Sequence, residues 1–250
     1  MITTTPRTPA RRTSARTVAA LAAVAVAGLA LAGCVRLSGP ATGPRVETNH
    51  EVSDAVHGLR LETAGDVTVE LGDEPGLVVR APKSVSERLT VREEGGTLVL
   101  GIRGAGWTSG RVDYVLTVRS FDELDLEGAG DVTADFSVAD EIEITVDGAG
   151  DVRATGVDAT EVDVEINGAG DVHIEGRADS AELTVNGAGS IKAADLVLRR
   201  AEAEVSGAGD IHVHATDTLD AEISGLGDIH VSGSPRITRD VSGVGEIVED

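Results

Sequence analysis

Carboxylates are the side chains of this sequence whose spacing is regular enough to do chemistry. Glu123, Glu143, Asp163, Glu182, Glu202 and Asp220 recur every 18 to 20 residues, and Asp125, Thr145, Glu165, Thr184, Glu204, Glu222 and Asp240 form a second series two positions further on. If equivalents lie on neighbouring strands, each series becomes a column with side chains about 4.8 Å apart. Like charges at that separation repel by roughly 1 kcal/mol in water, and by more at a lower effective dielectric. Two outcomes follow for Glu143, Asp163, Glu165, Glu182, Glu202 and Glu204. Either they hold calcium, whose flexible coordination suits carboxylate oxygens, or they splay into solvent and salt screens them. Paired carboxylates are also what glycan-cleaving enzymes use, so a catalytic reading of the same face stays open.

A third series, Asp131, Asp151, Asp171, Ser190, Asp210, Asp228 and Glu246, runs beside Thr133, Arg153, His173, Lys192, His212, His230 and Val248. Acid next to base compensates charge locally, and an aspartate at a turn can accept backbone N–H groups of its own turn. Asp210, His212, Asp228 and His230 combine imidazole with carboxylate, a donor set that suits zinc; the alternative is solvated ion pairs. Other catalytic signals are missing. There is no Gly-x-Ser-x-Gly elbow, and the six histidines lack metalloprotease spacing. No enzyme is expected, and no cofactor apart from calcium.

The elements that must position these columns are read from the glycines. A Gly-x-Gly corner occurs at Gly128, Gly148, Gly168, Gly187, Gly207, Gly225 and Gly243, with spacings of 20, 20, 19, 20, 18 and 18. Repeats of this length specify a solenoid, in which each unit buries its face only by stacking on the next. Strict alternation flanks each corner, so that Ile142, Ile144, Val146, Gly148, Gly150, Val152 and Ala154 share one parity. Two short strands per repeat follow, with the glycines facing inward to relieve crowding at the bend. The segment Thr155-Gly156-Val157-Asp158-Ala159-Thr160 is expected to be a loop making a further bend. Consecutive copies then pair in register as a single-domain, all-β parallel β-solenoid. A β-sandwich also has short strands at regular spacing, but the identity of successive corners disfavours it.

Residues 58–122 are less regular yet strand-rich and read as N-terminal coils of the same solenoid, with 123–250 as the regular repeats. Thr63-Ala64-Gly65-Asp66-Val67 is a worn copy of the corner, and Gly104 to Gly110, with the only Trp, is an inserted loop. The last coil, with Arg236, Arg239, Glu246 and Glu249, is charged enough to oppose end-to-end stacking. The Gly-Ala-Gly-Asp corner is neither a dinucleotide fingerprint, which must open a helix, nor a nine-residue calcium β-roll repeat.

The N-terminus has a different character. Residues 1–33 carry Arg7, Arg11, Arg12 and Arg16, no acid, and an apolar stretch from Val18 to Leu31, the pattern of a signal peptide. Leu31-Ala32-Gly33-Cys34 resembles the lipobox of bacterial lipoproteins, and the resemblance implies lipidation of Cys34. Residues 34–57 show no periodicity and are expected to be a lipidated tether. Cys34 is the only cysteine, so no intrachain disulfide can form. The formal net charge of −22 excludes nucleic acid as a partner, and loss of the signal peptide makes the remainder more acidic still.

The repeated Gly-Ala-Gly-Asp-Val/Ile signature and strand-rich lead-in, over roughly residues 58 to 248, resemble the head GIN domain family of auto-transporter adhesins. That resemblance implies a parallel β-helix on the bacterial envelope. The expectation is a non-enzymatic envelope lipoprotein, held by lipid on the outer face of the cell membrane, that presents an acidic solenoid to an envelope polymer or protein. A glycan-active enzyme and a calcium-dependent structural protein are the alternatives.

Overall fold

The computed structural model describes residues 44–104 and 110–249. The expected signal peptide, Cys34 and most of the expected Gly104–Gly110 loop lie outside the described residues. The chain forms β1 (Arg45–Glu51), β2 (Gly58–Leu61), β3 (Asp66–Leu71) and β4 (Gly76–Pro82), then the single-turn helix α1 (Lys83–Ser86). It continues through β5 (Leu89–Glu94), β6 (Thr97–Ile102), β7 (Asp113–Val118), β8 (Glu123–Leu126), β9 (Val132–Asp135) and β10 (Glu141–Val146). The remaining strands are β11 (Val152–Ile166), β12 (Asp171–Val185), β13 (Ser190–Val205), β14 (Ile211–Ile223), β15 (Ile229–Gly233), β16 (Arg236–Val241) and β17 (Ile247–Glu249).

The expected parallel β-solenoid is what forms. Equivalent residues of successive repeats pair in parallel: Glu143 with Asp163, Asp163 with Glu182, Glu182 with Glu202, and Glu202 with Asp220. Inside run columns of aliphatic residues such as Ile144, Val164, Leu183 and Ala203, each at most 1% exposed. Alternation therefore decides the inside and the outside of every coil.

Two local expectations are corrected. The segment from Thr155 to Thr160 is extended chain within β11, and its bend is a register shift between Ala154 and Val157. Gly156 sits there at φ +74, the left-handed region that glycine adopts without penalty. The corner glycines, in turn, are needed for stacking rather than for relief of inward crowding. A Cβ on Gly148 would lie 2.0 Å from the carbonyl oxygen of Gly128, and one on Gly168 would lie 2.0 Å from that of Gly148. The missing side chain would point at the backbone one coil back.

The N-terminal region departs further from simple stacking. β2 pairs in parallel with both β6 and β8, and β3 with both β7 and β9. The coil of residues 58–71 thus lies between residues 97–118 and 123–135, out of sequence order. Its corner is the expected worn copy: Ala64 bridges Ala129, and a Cβ on Gly128 would meet the Thr63 carbonyl oxygen at 1.9 Å. β4 then runs antiparallel to β7, β1 antiparallel to β4, and β5 antiparallel to β6. Residues 45–57 are accordingly part of the fold and not tether. β1 pairs along its whole length with β4, and Val52 and Val56 are buried in the core.

Candidate functional site

The sheet built from β8, β10, the second halves of β11 to β14, and β16 presents the carboxylates outward. Glu143, Asp163, Glu182, Glu202 and Asp220 occupy consecutive positions in register, one per coil. The second column is interrupted, because Thr145 and Thr184 flank Glu165, while Glu204 and Glu222 are direct neighbours. The structure therefore brings Glu143, Asp163, Glu182 and Glu202 together and separates Glu165 from Glu204 by one threonine.

Compensation of this charge changes along the sheet. At its N-terminal end Arg60 donates to Asp125 at 2.7 Å and also reaches Glu127 at 3.6 Å. The Thr97 hydroxyl donates to Glu123 at 3.0 Å, and His57 Nδ1 lies 2.7 Å from Asp122. Burial pushes the Glu127 carboxyl above its ordinary range, with Asp125 adding to the effect and Arg60 opposing it. From β10 onward arginines still lie on this face, Arg200 on β13 and Arg236 on β16, but the column is left without an ion-pair partner. Among the described residues, Glu143, Asp163, Glu182, Glu202 and Asp220 take part in no ion pair. Asp163 registers the result: its carboxyl is raised above the usual range first by desolvation, then by Glu182, Glu143, Glu165 and Glu161.

Two hollows open on this face. One of about 410 Å³ is lined by His57, Asp122, Glu123, Glu141, Glu143 and Asp163, among others. Another of about 220 Å³ lies among Glu202, Glu204, Asp220, Glu222, Thr238 and Asp240. Among the described residues, no three His, Cys, Asp or Glu side chains are arranged so as to hold a metal ion.

The neighbouring column does something sequence reasoning missed. The Oδ1 of each corner aspartate accepts the backbone N–H of its equivalent in the next coil, where a bond within its own turn was expected. Asp131 accepts from Asp151 at 3.3 Å, Asp151 from Asp171 at 3.1 Å, and Asp171 from Ser190 at 3.0 Å. Asp210 accepts from Asp228 at 2.9 Å, and Asp228 from Glu246 at 2.8 Å. These carboxylates satisfy backbone donors at the corners, where the regular strand pairing lapses. The recurrence of Asp right after Gly-x-Gly was the available signal.

This use bears on the zinc reading of Asp210, His212, Asp228 and His230. Oδ1 of both aspartates is committed to backbone. The His212 and His230 rings stack in parallel, with centroids 4.5 Å apart and planes 7° apart, and do not converge on one point. Charge compensation of acid by base is present in part: Lys192 pairs with Asp171, and Arg153 with Glu175 at 3.0 Å. A polar ladder adjoins the acidic face. Asn167 donates to Asp147 at 2.9 Å, and Asn186 donates to Asn167 at 3.0 Å.

The chain is similar to several solved structures. A "putative adhesin" from Bacteroides fragilis shares 26% identity, with a TM-score of 0.80 over 85% of this chain and 100% of that one. A "putative lipid binding protein" from Parabacteroides distasonis has a TM-score of 0.61 at 21% identity, over 84% of this chain and 98% of the other. A "putative adhesin" from Parabacteroides merdae has a TM-score of 0.62 at 16% identity, over 84% and 97%. The last two establish likeness of fold alone. No curated protein is a significant match. The family described as "Putative auto-transporter adhesin, head GIN domain" matches residues 56–235. With most of its solenoid covered by that match, the chain belongs to the head GIN domain family.

Proposed function

We propose that this chain is an exported envelope lipoprotein, anchored through Cys34, whose solenoid binds a cationic envelope partner, protein or polymer, on its acidic face without catalysing a reaction. The observation that carries the reading is the unpaired, in-register stack of Glu143, Asp163, Glu182, Glu202 and Asp220. Holding these carboxylates on adjacent strands costs stability through mutual repulsion, and a cationic partner recovers that cost on binding. Family membership supports a surface role, and the Leu31-Ala32-Gly33-Cys34 sequence supports the anchor.

The test compares capture from envelope extract by three full-length chains: wild type, a chain carrying Glu143→Gln, Asp163→Asn, Glu182→Gln and Glu202→Gln, and a charge-matched control neutralised at Glu47, Glu51, Glu87 and Glu94. The proposal expects a partner that wild type and control retain in the presence of chelator and that the face variant loses. Equal capture by all three chains excludes the face. Retention abolished by chelator in wild type favours calcium, and hydrolysis of an envelope glycan dependent on Glu143, Asp163 or Glu182 favours catalysis.

A further inference from the structure

The two ends of the solenoid are finished differently. At the N-terminal end the parallel coils are covered by the antiparallel strands β4 and β1. At the other end, among the described residues, β16 pairs with β14 alone and β17 with β15 alone, so their outer edges have no strand partner there. Open edges with apolar side chains are templates for pairing with another chain. Among the charged residues of this rim stand apolar ones: Ile237 and Ile247 pack on the core, and Val241 and Val244 are 46% and 72% exposed.

Two positions of this last coil break the inward columns. Arg239 is in register with Ala221, beneath which lie Ala203 and Leu183, and Glu249 is in register with Val231, beneath which lies Val213. All five of those residues are nearly inaccessible. Parity therefore turns Arg239 and Glu249 toward the lumen, on the two sheets that face each other across it. Their side chains pair with one another, closing the open end with an ion pair where every earlier coil has hydrocarbon. A second copy, brought tail to tail so that Val241 and Val244 of the two chains meet, would enclose both pairs away from water. Burial of an ion pair is costly unless its remaining hydrogen bonds are also made, and charges that point inward are a known means of blocking edge association.

We infer that the Arg239–Glu249 pair terminates the solenoid and prevents two copies of this chain from joining through β16 and β17. The experiment is sedimentation velocity on the full chain in detergent, comparing wild type with the double variant Arg239→Ala, Glu249→Val, which extends the Ala221 and Val231 columns by one residue each. Wild type is expected to sediment as one chain. The double variant is expected to reach twice that mass, with a Kd in the micromolar range or tighter, while the swapped variant Arg239→Glu, Glu249→Arg stays at one chain. A double variant that melts cooperatively yet remains a single chain at about 1 mM would overturn the inference. So would a swapped variant of twice the mass, or a wild-type dimer that Val241→Lys dissociates.

Discussion

The backbone N–H of Asp171 donates to Oδ1 of Asp151, one coil back, at 3.1 Å. On the adjacent sheet Asp163 is in register with Glu143 and Glu182 and has no cation partner among the described residues. Asp151 and Asp163, twelve positions apart in one repeat, thus do opposite things, one tying coils together and the other pushing them apart.

Asp151→Ala should therefore destabilise the solenoid by about 1 kcal/mol, lowering Tm by about 2–4 °C, because a backbone donor loses its partner. Asp151→Asn, which keeps an acceptor oxygen, should lose less. Thermal unfolding followed by circular dichroism measures both.

Asp163→Asn should act in the other direction. Its carboxyl is raised in the fold, so the folded state binds the proton more readily than the unfolded chain does. Stability attributable to this group falls as pH rises from the ordinary aspartate value, near 3.9, through the raised value, and the full penalty is present at neutral pH. The variant should melt about 1–3 °C above wild type at pH 7, a gain of less than about 1 kcal/mol after allowance for solvent screening. That advantage should shrink as the pH is lowered toward 4, read from paired melting curves.

Gly168→Ala should be far more damaging than its size suggests. The added Cβ would stand 2.0 Å from the Gly148 carbonyl oxygen, which belongs to backbone and cannot rotate away. A loss of more than about 3 kcal/mol is expected, as for severe steric strain in packed structure. Ala169→Ser, at the exposed position beside it, should stay within about 0.5 kcal/mol of wild type. Urea denaturation distinguishes the two.

Replacement of Cys34 by Ala should move the protein from the membrane fraction to the soluble fraction of the envelope. Mass spectrometry of wild type should find the chain beginning at Cys34 and carrying lipid. An intact residue 1–33 segment on the wild-type chain would refute the anchor.

Much of the solenoid was legible because its rules are local and periodic. Gly148 and Gly168 announce the coil length, and alternation from Ile142 to Val146 fixes the inward face. What the sequence concealed depends on neighbours in space. β1 gave no signal because Arg45 to Glu51 is polar on both faces, as suits an edge strand that is largely exposed. The placement of residues 58–71 between two later coils was hidden because a corner such as Thr63 to Val67 announces a coil but not which coils it stacks on. The acidic columns were readable residue by residue, whereas their partial neutralisation by Arg60, 65 positions from Asp125, was not. The Asp ladder and the Arg239–Glu249 pair follow from register, which becomes visible only once the coils are stacked.

The acidic stripe exists only if Glu143 and Asp220 stand in one column four coils apart. Pulsed dipolar spectroscopy on a chain spin-labelled at these two positions, with Cys34 replaced by Ser, tests this most directly. Four steps of inter-strand spacing predict a narrow distance distribution near about 19 Å, widened only by the label linkers. A broad distribution, or one centred beyond about 30 Å, would mean that the carboxylates are dispersed and form no stripe.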